Sequence, residues 1–274
     1  MTLLSVVQMN SQNDIEANFS VIESLIQQSK ADGASLIVFP ENFVCFAAGM
    51  QRETAAQFES IQHRLEQLAH HYQIWIVAGT LPCPFRPDGS VIRDGRVRTV
   101  SLCISPEKTE ARYDKIHLFD VQVSDAVGGY QESKFFEPGT DVVVARTPFG
   151  DIGLMVCYDL RFPELSLTLR SQGARILTAP AAFTYITGQM HWQLLLQARA
   201  MDSQCQVLGA AQQGWHGEKR QTWGHAGATN SRGQLLNIIE NEGSQLITVP
   251  FDMEEQNIIR ASMPLMLHRK LISF

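Results

Sequence analysis

Three side chains suited to acyl-transfer chemistry are spread along this chain. They are Glu41 in FPENF, Lys115 in YDKIH and Cys157 in VCYDLRFPEL. A thiolate attacks a carbonyl, a carboxylate takes and returns its proton, and an ammonium steadies the oxyanion that forms. Each residue also has an ordinary reading. A free cysteine is most often a small buried hydrophobe. Glu41 can be a solvated loop carboxylate, and a lysine flanked by Asp114 and His117 can be a plain surface charge. What sets the three apart is a shared position: each falls at the end of an expected strand, where functional groups of open α/β sheets gather.

The elements that must hold them read as follows. Ile152–Val156 is a short apolar run bounded by the turn signal Gly150-Asp151, the mark of a buried strand. Pro163-Glu164 starts a helix that ends at Gly173. Cys157 therefore falls on a sharp strand-to-helix connection, where its thiol is expected to be exposed and tilted toward thiolate by the helix dipole. Upstream, Leu3–Gln8 reads as a strand. A helix capped by Asn13 or Asp14 follows, with Ile15, Ile22, Leu25 and Ile26 at helical spacing and Gly33 at its end. Leu36–Phe39 is the next strand and stops at Pro40, so Glu41 follows a parallel β-α-β unit. Phe58, Ile61, Leu65 and Leu68 mark a second helix, and Ile74–Ala78 a strand closed by Gly79. Val97–Ile104 and Thr109–Tyr113 form an expected antiparallel pair that runs into Lys115. The long connection Asp120–Gly139 carries Glu132.

Beyond the cysteine, the pattern predicts a strand at Arg175–Thr178, a helix at His191–Gln204 and a strand at Gln206–Ala211. A loop rich in Gly, Trp and His is expected over Gln213–His225, followed by antiparallel strands at Ala226–Asn230, Leu235–Ile239 and Gln245–Val249. The β-α-β pattern occurs near residues 3–39 and again near 152–178, which hints at two sheets with helices outside. The expected organisation is one domain over residues 1–250. A C-terminal extension over 251–274 would dock on that domain or on a second subunit.

Composition narrows the function class. A net charge of −6 argues against a nucleic-acid or anionic-membrane surface. Five cysteines without a C-x-x-C pair make neither a disulfide framework nor a zinc ribbon, and suit a reducing cytosol. The N-terminus lacks the basic region and cleavage site of a secretory signal, and no apolar run reaches membrane-spanning length. There is no G-x-G-x-x-G after a strand, no Walker A loop, no H-E-x-x-H and no G-x-S-x-G. The eight histidines show no metal-ligand spacing, although His191 or His225 offers a base for a Cys-His pair.

FPENF, YDKIHLFD and VCYDLRFPEL, in this order and at these intervals, resemble the three catalytic motifs of the carbon-nitrogen hydrolase (nitrilase) superfamily. The resemblance covers nearly the whole chain. It implies an α-β-β-α sandwich, a Glu41-Lys115-Cys157 triad, a small-molecule amide substrate, no metal or organic cofactor, and a homodimer. It implies an oxyanion held by Lys115 and the backbone N–H of Tyr158, with Glu132 as a second glutamate supporting the triad. The stretch AFTYITGQMHWQLLLQARAMDSQCQV resembles amidases of small 2-oxo acid amides. HGEKRQTWGHAG resembles the branch that hydrolyses deaminated glutathione, whereas the omega-amidase branch lacks the E-K-R run. Gln189-Met190 and Ala226-Gly227-Ala228 depart from the usual pattern. Arg161 is placed to grip a substrate carboxylate, with Phe183 and Thr187 at the same end of the site. The competing role for Arg161 is an ion pair with Asp159 or Glu164. A scaffold that keeps the fold without catalysis would have no need of all three triad residues.

Overall fold

In the computed structural model, residues 1–123 and 128–270 are described. The end of the expected C-terminal extension, residues 271–274, lies outside them. Among the described residues, two sheets stack face to face with helices on both outer sides. The first sheet runs in the order β13 (Arg220–Trp223), β12 (Ala211–His216), β1 (Thr2–Met9), β2 (Leu36–Val38), β3 (Trp75–Cys83), β4 (Arg98–Ile104), β5 (Thr109–Asp114). One edge of β1 pairs with β2. The other is shared end to end by antiparallel β16 (Gln245–Phe251) and parallel β12. The second sheet runs β15 (Leu235–Ile238), β14 (Gly227–Thr229), β11 (Gln206–Gly209), β10 (Ile176–Thr178), β9 (Ile152–Leu154), β8 (Val144–Ala145). A small pair, β6 (Asp120–Gln122) and β7 (Gly129–Gln131), lies apart from both.

Period-2 alternation along the central strands explains the layering. Leu4, Val6, Leu36, Val38 and Val77 face the second sheet, packing in one core with Ile152, Leu154, Ile176 and Leu177. Their neighbours Val7, Met9, Ile37, Phe39, Ile76 and Ala78 face outward, onto Phe19, Ile22 and Ile26 of α1 (Ile15–Ala31) and Phe58, Ile61 and Leu65 of α3 (Phe58–Tyr72). A short α2 (Gln51–Ala55) precedes α3. The second sheet is covered by Leu165 and Leu169 of α4 (Pro163–Ser171) and Trp192, Leu196 and Ala200 of α5 (Tyr185–Ser203). Strands buried on both faces read as continuous apolar runs, as Leu36–Phe39 does. The expected α-β-β-α sandwich is therefore what the chain forms.

Three elements differ from expectation. β3 does not close at Gly79 but runs on to Cys83. Gly79 instead marks a close approach: a Cβ there would lie 1.9 Å from the Pro40 carbonyl, so only glycine lets β3 pass the turn that carries Glu41. α5 begins at Tyr185, a turn and a half before the expected start; Tyr185–Gly188 is already helical despite its glycine and β-branched residues, and the Gly188 N–H donates to the carbonyl of the N-cap, Thr184. The expected strand at Gln206–Ala211 splits at Ala210. β11 stays in the second sheet, whereas β12 crosses to the first and forms a hairpin with β13 where a loop was expected. That hairpin places Glu218-Lys219-Arg220 at its tip.

Residues after 250 form α6 (Met253–Ser262) and α7 (Leu265–His268). Asp252 caps α6 by accepting from the N–H groups of Glu254 and Glu255. Arg260 then donates to the Ala174 and Gln204 carbonyls, at 3.0 Å each, and ties α6 to the second sheet's loops.

Candidate active site

Glu41, Lys115 and Cys157 line one cavity of about 740 Å³ at the carboxyl ends of the central strands, and Glu132 joins them there. Lys115 is the hub. Its Nζ donates to Glu41 Oε1 at 2.8 Å and to both Glu132 oxygens at 3.0 Å. Glu132 is fixed in turn by the Phe119 N–H, at 2.6 Å from its Oε2. The lysine side chain is 1 % exposed, so its charge survives only through these partners. Burial pulls its pKa down, but Glu132 and Glu41 more than offset that and hold it well above the ordinary lysine value. Glu132 itself is raised, first by burial and then by Glu41, with Lys115 acting against both.

Each residue is delivered by a specific piece of backbone. Glu41 follows β2. Its carbonyl accepts from the Gln212 amide at 3.0 Å, and the next residue, Asn42, takes a left-handed φ of +56° while its N–H donates to Thr80 Oγ1 at 2.9 Å. Asparagine tolerates that region better than most residues. Lys115 continues from β5. Its carbonyl accepts from the Gly139 N–H at 2.8 Å, and a Cβ on Gly139 would meet the Asp114 carbonyl at 2.1 Å. Cys157 opens a 3-10 turn, Cys157–Arg161, between β9 and α4, and its φ is +50°. A non-glycine residue held left-handed at a strand-to-turn junction is a strained nucleophile elbow, and its N–H is pinned to the Pro180 carbonyl at 2.8 Å.

One expectation about Cys157 is overturned. The thiol is buried rather than exposed, and it is not tilted toward thiolate. Burial and the Glu41 charge push its pKa well above the ordinary value, against Lys115, which lowers it. One short 3-10 turn cannot supply the field of a long helix, so desolvation wins. The Glu41 carboxylate is therefore the group beside the thiol that can take its proton.

The remaining expected residues also line the cavity: Tyr158, Arg161, Phe183 and Thr187. Tyr158 sits at the second position of the 3-10 turn, where backbone N–H groups lack a partner inside the turn. The Arg161 guanidinium lies 5.4 Å from the Phe183 ring centroid and 3.3–3.4 Å from His191 Nδ1. Among the described residues it makes no ion pair with Asp159 or Glu164. Thr187, in the first turn of α5, shares a hydroxyl contact of 2.8 Å with Thr184. His191 and His225 are thus not bases for the thiol. One contacts Arg161, and the other stacks on Trp223 at 4.0 Å. No cluster of metal-binding side chains occurs among the described residues.

Asp159, expected only as an ion-pair partner for Arg161, ties the segments that carry Lys115 and Cys157 together. Fully buried, it accepts from the Val156 N–H at 2.8 Å, the Tyr113 hydroxyl at 2.7 Å, the His117 N–H at 3.2 Å and His117 Nδ1 at 2.7 Å. One carboxylate therefore locks the end of β5, which carries Lys115, onto the Cys157 elbow. The signal was in the spacing, since an acid three residues after Val156 is half of a capping box.

His216 is another buried anchor. Its Nδ1 donates to the Ser11 carbonyl at 2.8 Å, its Nε2 accepts from the Thr222 hydroxyl at 2.7 Å, and its ring lies 4.2 Å from Phe46. Burial, with nearby Arg220, lowers its pKa to about 4, although the Ser11 carbonyl raises it. The unfolded chain takes up this proton below about pH 6.5, and the folded chain only near pH 4. His216 thus removes roughly 3 kcal/mol of stability as pH falls through that window. The cost of His216→Gln, read from urea midpoints, should shrink by that amount between pH 7 and pH 4. An undiminished cost would show that His216 is not held neutral.

The carbon-nitrogen hydrolase family matches residues 3–260. A protein of Yersinia enterocolitica named deaminated glutathione amidase is 39 % identical over 98 % of this chain and 93 % of its own. The crystal structure of the C. elegans NitFhit protein superposes with a TM-score of 0.87 at 32 % identity, over 98 % of this chain and 65 % of that one. Saccharomyces cerevisiae Nit3, a member of branch 10 of the nitrilase superfamily, gives a TM-score of 0.85 at 26 % identity, over 98 % and 97 %.

Proposed function

This chain belongs to the carbon-nitrogen hydrolase family, and from that premise we propose that it hydrolyses deaminated glutathione to 2-oxoglutarate and cysteinylglycine, through a thioester on Cys157. The observation that carries this reading is the buried Glu41–Lys115–Glu132 cluster beside the Cys157 thiol in one cavity. Glu41 takes the thiol proton as the sulfur attacks the amide carbonyl. Lys115 and the Tyr158 N–H face the oxygen that becomes negative. Collapse breaks the C–N bond, and Glu41 returns the proton to the leaving amine. Water, deprotonated by Glu41, then adds to the thioester carbonyl; collapse expels the cysteine sulfur, which recovers the proton. Glu132 holds Lys115 charged and in place through both steps. Arg161 grips the carboxylate next to the 2-oxo group, with Phe183 and Thr187 beside it.

Cavity size favours the larger amide. About 740 Å³ lies high in the usual ligand-pocket range of roughly 300–1,000 Å³. An omega-amidase substrate such as 2-oxoglutaramate has no peptide half to fill it. The experiment is a paired assay: cysteinylglycine release from deaminated glutathione beside ammonia release from 2-oxoglutaramate. A higher kcat/KM for deaminated glutathione is the expected result, and the reverse order would make the chain an omega-amidase. No turnover of either, with a thiol unreactive to alkylation, would return the scaffold reading.

The site of action is proposed to be the cytoplasm, a reading supported by five unpaired cysteines. Among the described residues no helix is long and apolar enough to cross a membrane. A homodimer is proposed from the exposed Met190, Leu194 and Met201 of α5 and the exposed Met263 and Leu267 near the C-terminus. Sedimentation at the monomer mass would overturn it.

A further inference from the structure

Arg220 carries a guanidinium, a group suited to bind an anion. It opens β13, at the tip of the hairpin that replaced the expected loop, and it lines the catalytic cavity. Its guanidinium lies 4.6 Å from the Phe46 ring centroid and 5.2 Å from that of Tyr130, so two aromatic faces hold its plane. Its Nη2 approaches the Ala182 carbonyl at 3.4 Å. Its Nε is buried without an acceptor, and among the described residues no carboxylate pairs with it. The Nε atom is closed to solvent and so to a ligand, which leaves the terminal Nη groups of Arg220 to meet an acceptor in the cavity. Phe46 is itself set by its contact with His216, whose other bonds fasten the hairpin close to its tip.

Arg161 lies against Phe183 and Arg220 against Ala182, so two guanidinium groups flank one stretch of chain beside the nucleophile. The neighbouring Lys219 also lines the cavity, as does Glu218 of opposite sign. We propose that Arg220 forms a second carboxylate subsite, which receives the terminal carboxylate of the amine half of the substrate while Arg161 holds the 2-oxo acid end. This rests on the deaminated-glutathione reading and sharpens it. That substrate carries a carboxylate at each end, whereas 2-oxoglutaramate carries one. A planar guanidinium lying against two aromatic rings offers a bidentate fork for the second.

The test compares deaminated glutathione with the same molecule ending in glycinamide, on wild type and on Arg220→Gln. Wild type should favour the free carboxylate in kcat/KM by about 10- to 100-fold, the size of a hydrogen bond to a charged group. In Arg220→Gln that ratio should fall close to one, and turnover of the glycinamide form reports that the variant is folded. Should that variant fail to fold, Arg220→Lys gives the same readout: its ratio falls below wild type, because an ammonium cannot make the two parallel bonds. A wild-type ratio near one, or a ratio that either folded variant leaves intact, overturns the subsite while turnover itself upholds the substrate. Absence of wild-type turnover on both peptides overturns the substrate reading and the subsite with it.

Discussion

Cys157→Ser should abolish amidase turnover, with a loss of about 10⁴-fold or more in kcat, while its thermal midpoint stays near that of wild type. The fold should tolerate the change because serine is smaller and keeps the pinned N–H, which donates to Pro180 at 2.8 Å. The left-handed backbone at +50° is equally strained for either residue. Chemistry should not tolerate it. Burial and Glu41 already hold the thiol above its ordinary pKa, and Lys115 opposes them. The hydroxyl starts from a far higher pKa, in the same desolvated place, with the same single carboxylate as base. Ammonia or cysteinylglycine release measures the loss. Mass spectrometry of the wild-type enzyme, quenched during turnover, should show a thioester adduct on the peptide that contains Cys157. Activity within tenfold of wild type in Cys157→Ser would remove Cys157 as the nucleophile.

Glu41, Lys115 and Cys157 were legible because each follows the end of an expected strand, and strand ends are easily located. Leu36–Val38, Ile152–Leu154 and the pair Arg98–Ile104 with Thr109–Asp114 lie within a residue or two of their expected places. Buried strands broadcast themselves through apolar runs, and glycine or proline punctuates them. What the residues alone did not disclose was the electrostatic state of the site. Whether a thiol is exposed or buried depends on what packs over it, and here that cover comes from segments as distant as Glu41 and Ala182. The same applies to Asp159, whose partners Tyr113 and His117 are more than forty residues away. Local spacing suggested only an ion pair with a neighbour. Long-range hydrogen bonding decided otherwise.

The hairpin at β12–β13 was missed for a different reason. Gln213–His225 is rich in glycine and carries Gly214, Gly217 and Gly224 at positive φ, which is the composition of a loop. Cross-strand pairing of Gln213 with Trp223 and of His216 with Arg220 overrides that local preference. Buried His216 and Thr222 fasten the hairpin, and polar residues in such places are not marked by hydropathy. The E-K-R run therefore looked like a feature of sequence similarity before it could be seen as a wall of the cavity.

Glu41→Gln should separate the reactivity of the thiol from the turnover of the enzyme. The wild-type carboxylate has two opposed effects on Cys157. Its charge raises the thiol pKa, and its basicity removes the thiol proton during attack. A neutral amide abolishes both, and leaves Lys115 and the Ala182 backbone to lower the thiol pKa against burial. Alkylation by iodoacetamide needs a thiolate but no proton for a leaving amine. At pH 7–8 it should proceed in Glu41→Gln at least as fast as in wild type. Amide hydrolysis needs the proton carried from sulfur to nitrogen, and then a base for water. It should fall by about 10²- to 10⁴-fold, the usual worth of a positioned general acid–base. Lys115 keeps Glu132 as an ionic partner at 3.0 Å, so the lysine remains charged and the cavity intact. The two rates must move apart. If alkylation falls in step with turnover, Glu41 acts by creating the thiolate in the resting enzyme rather than by shuttling its proton. If turnover survives, the carboxylate at 41 is not the base, and the proton must leave by another group in the cavity.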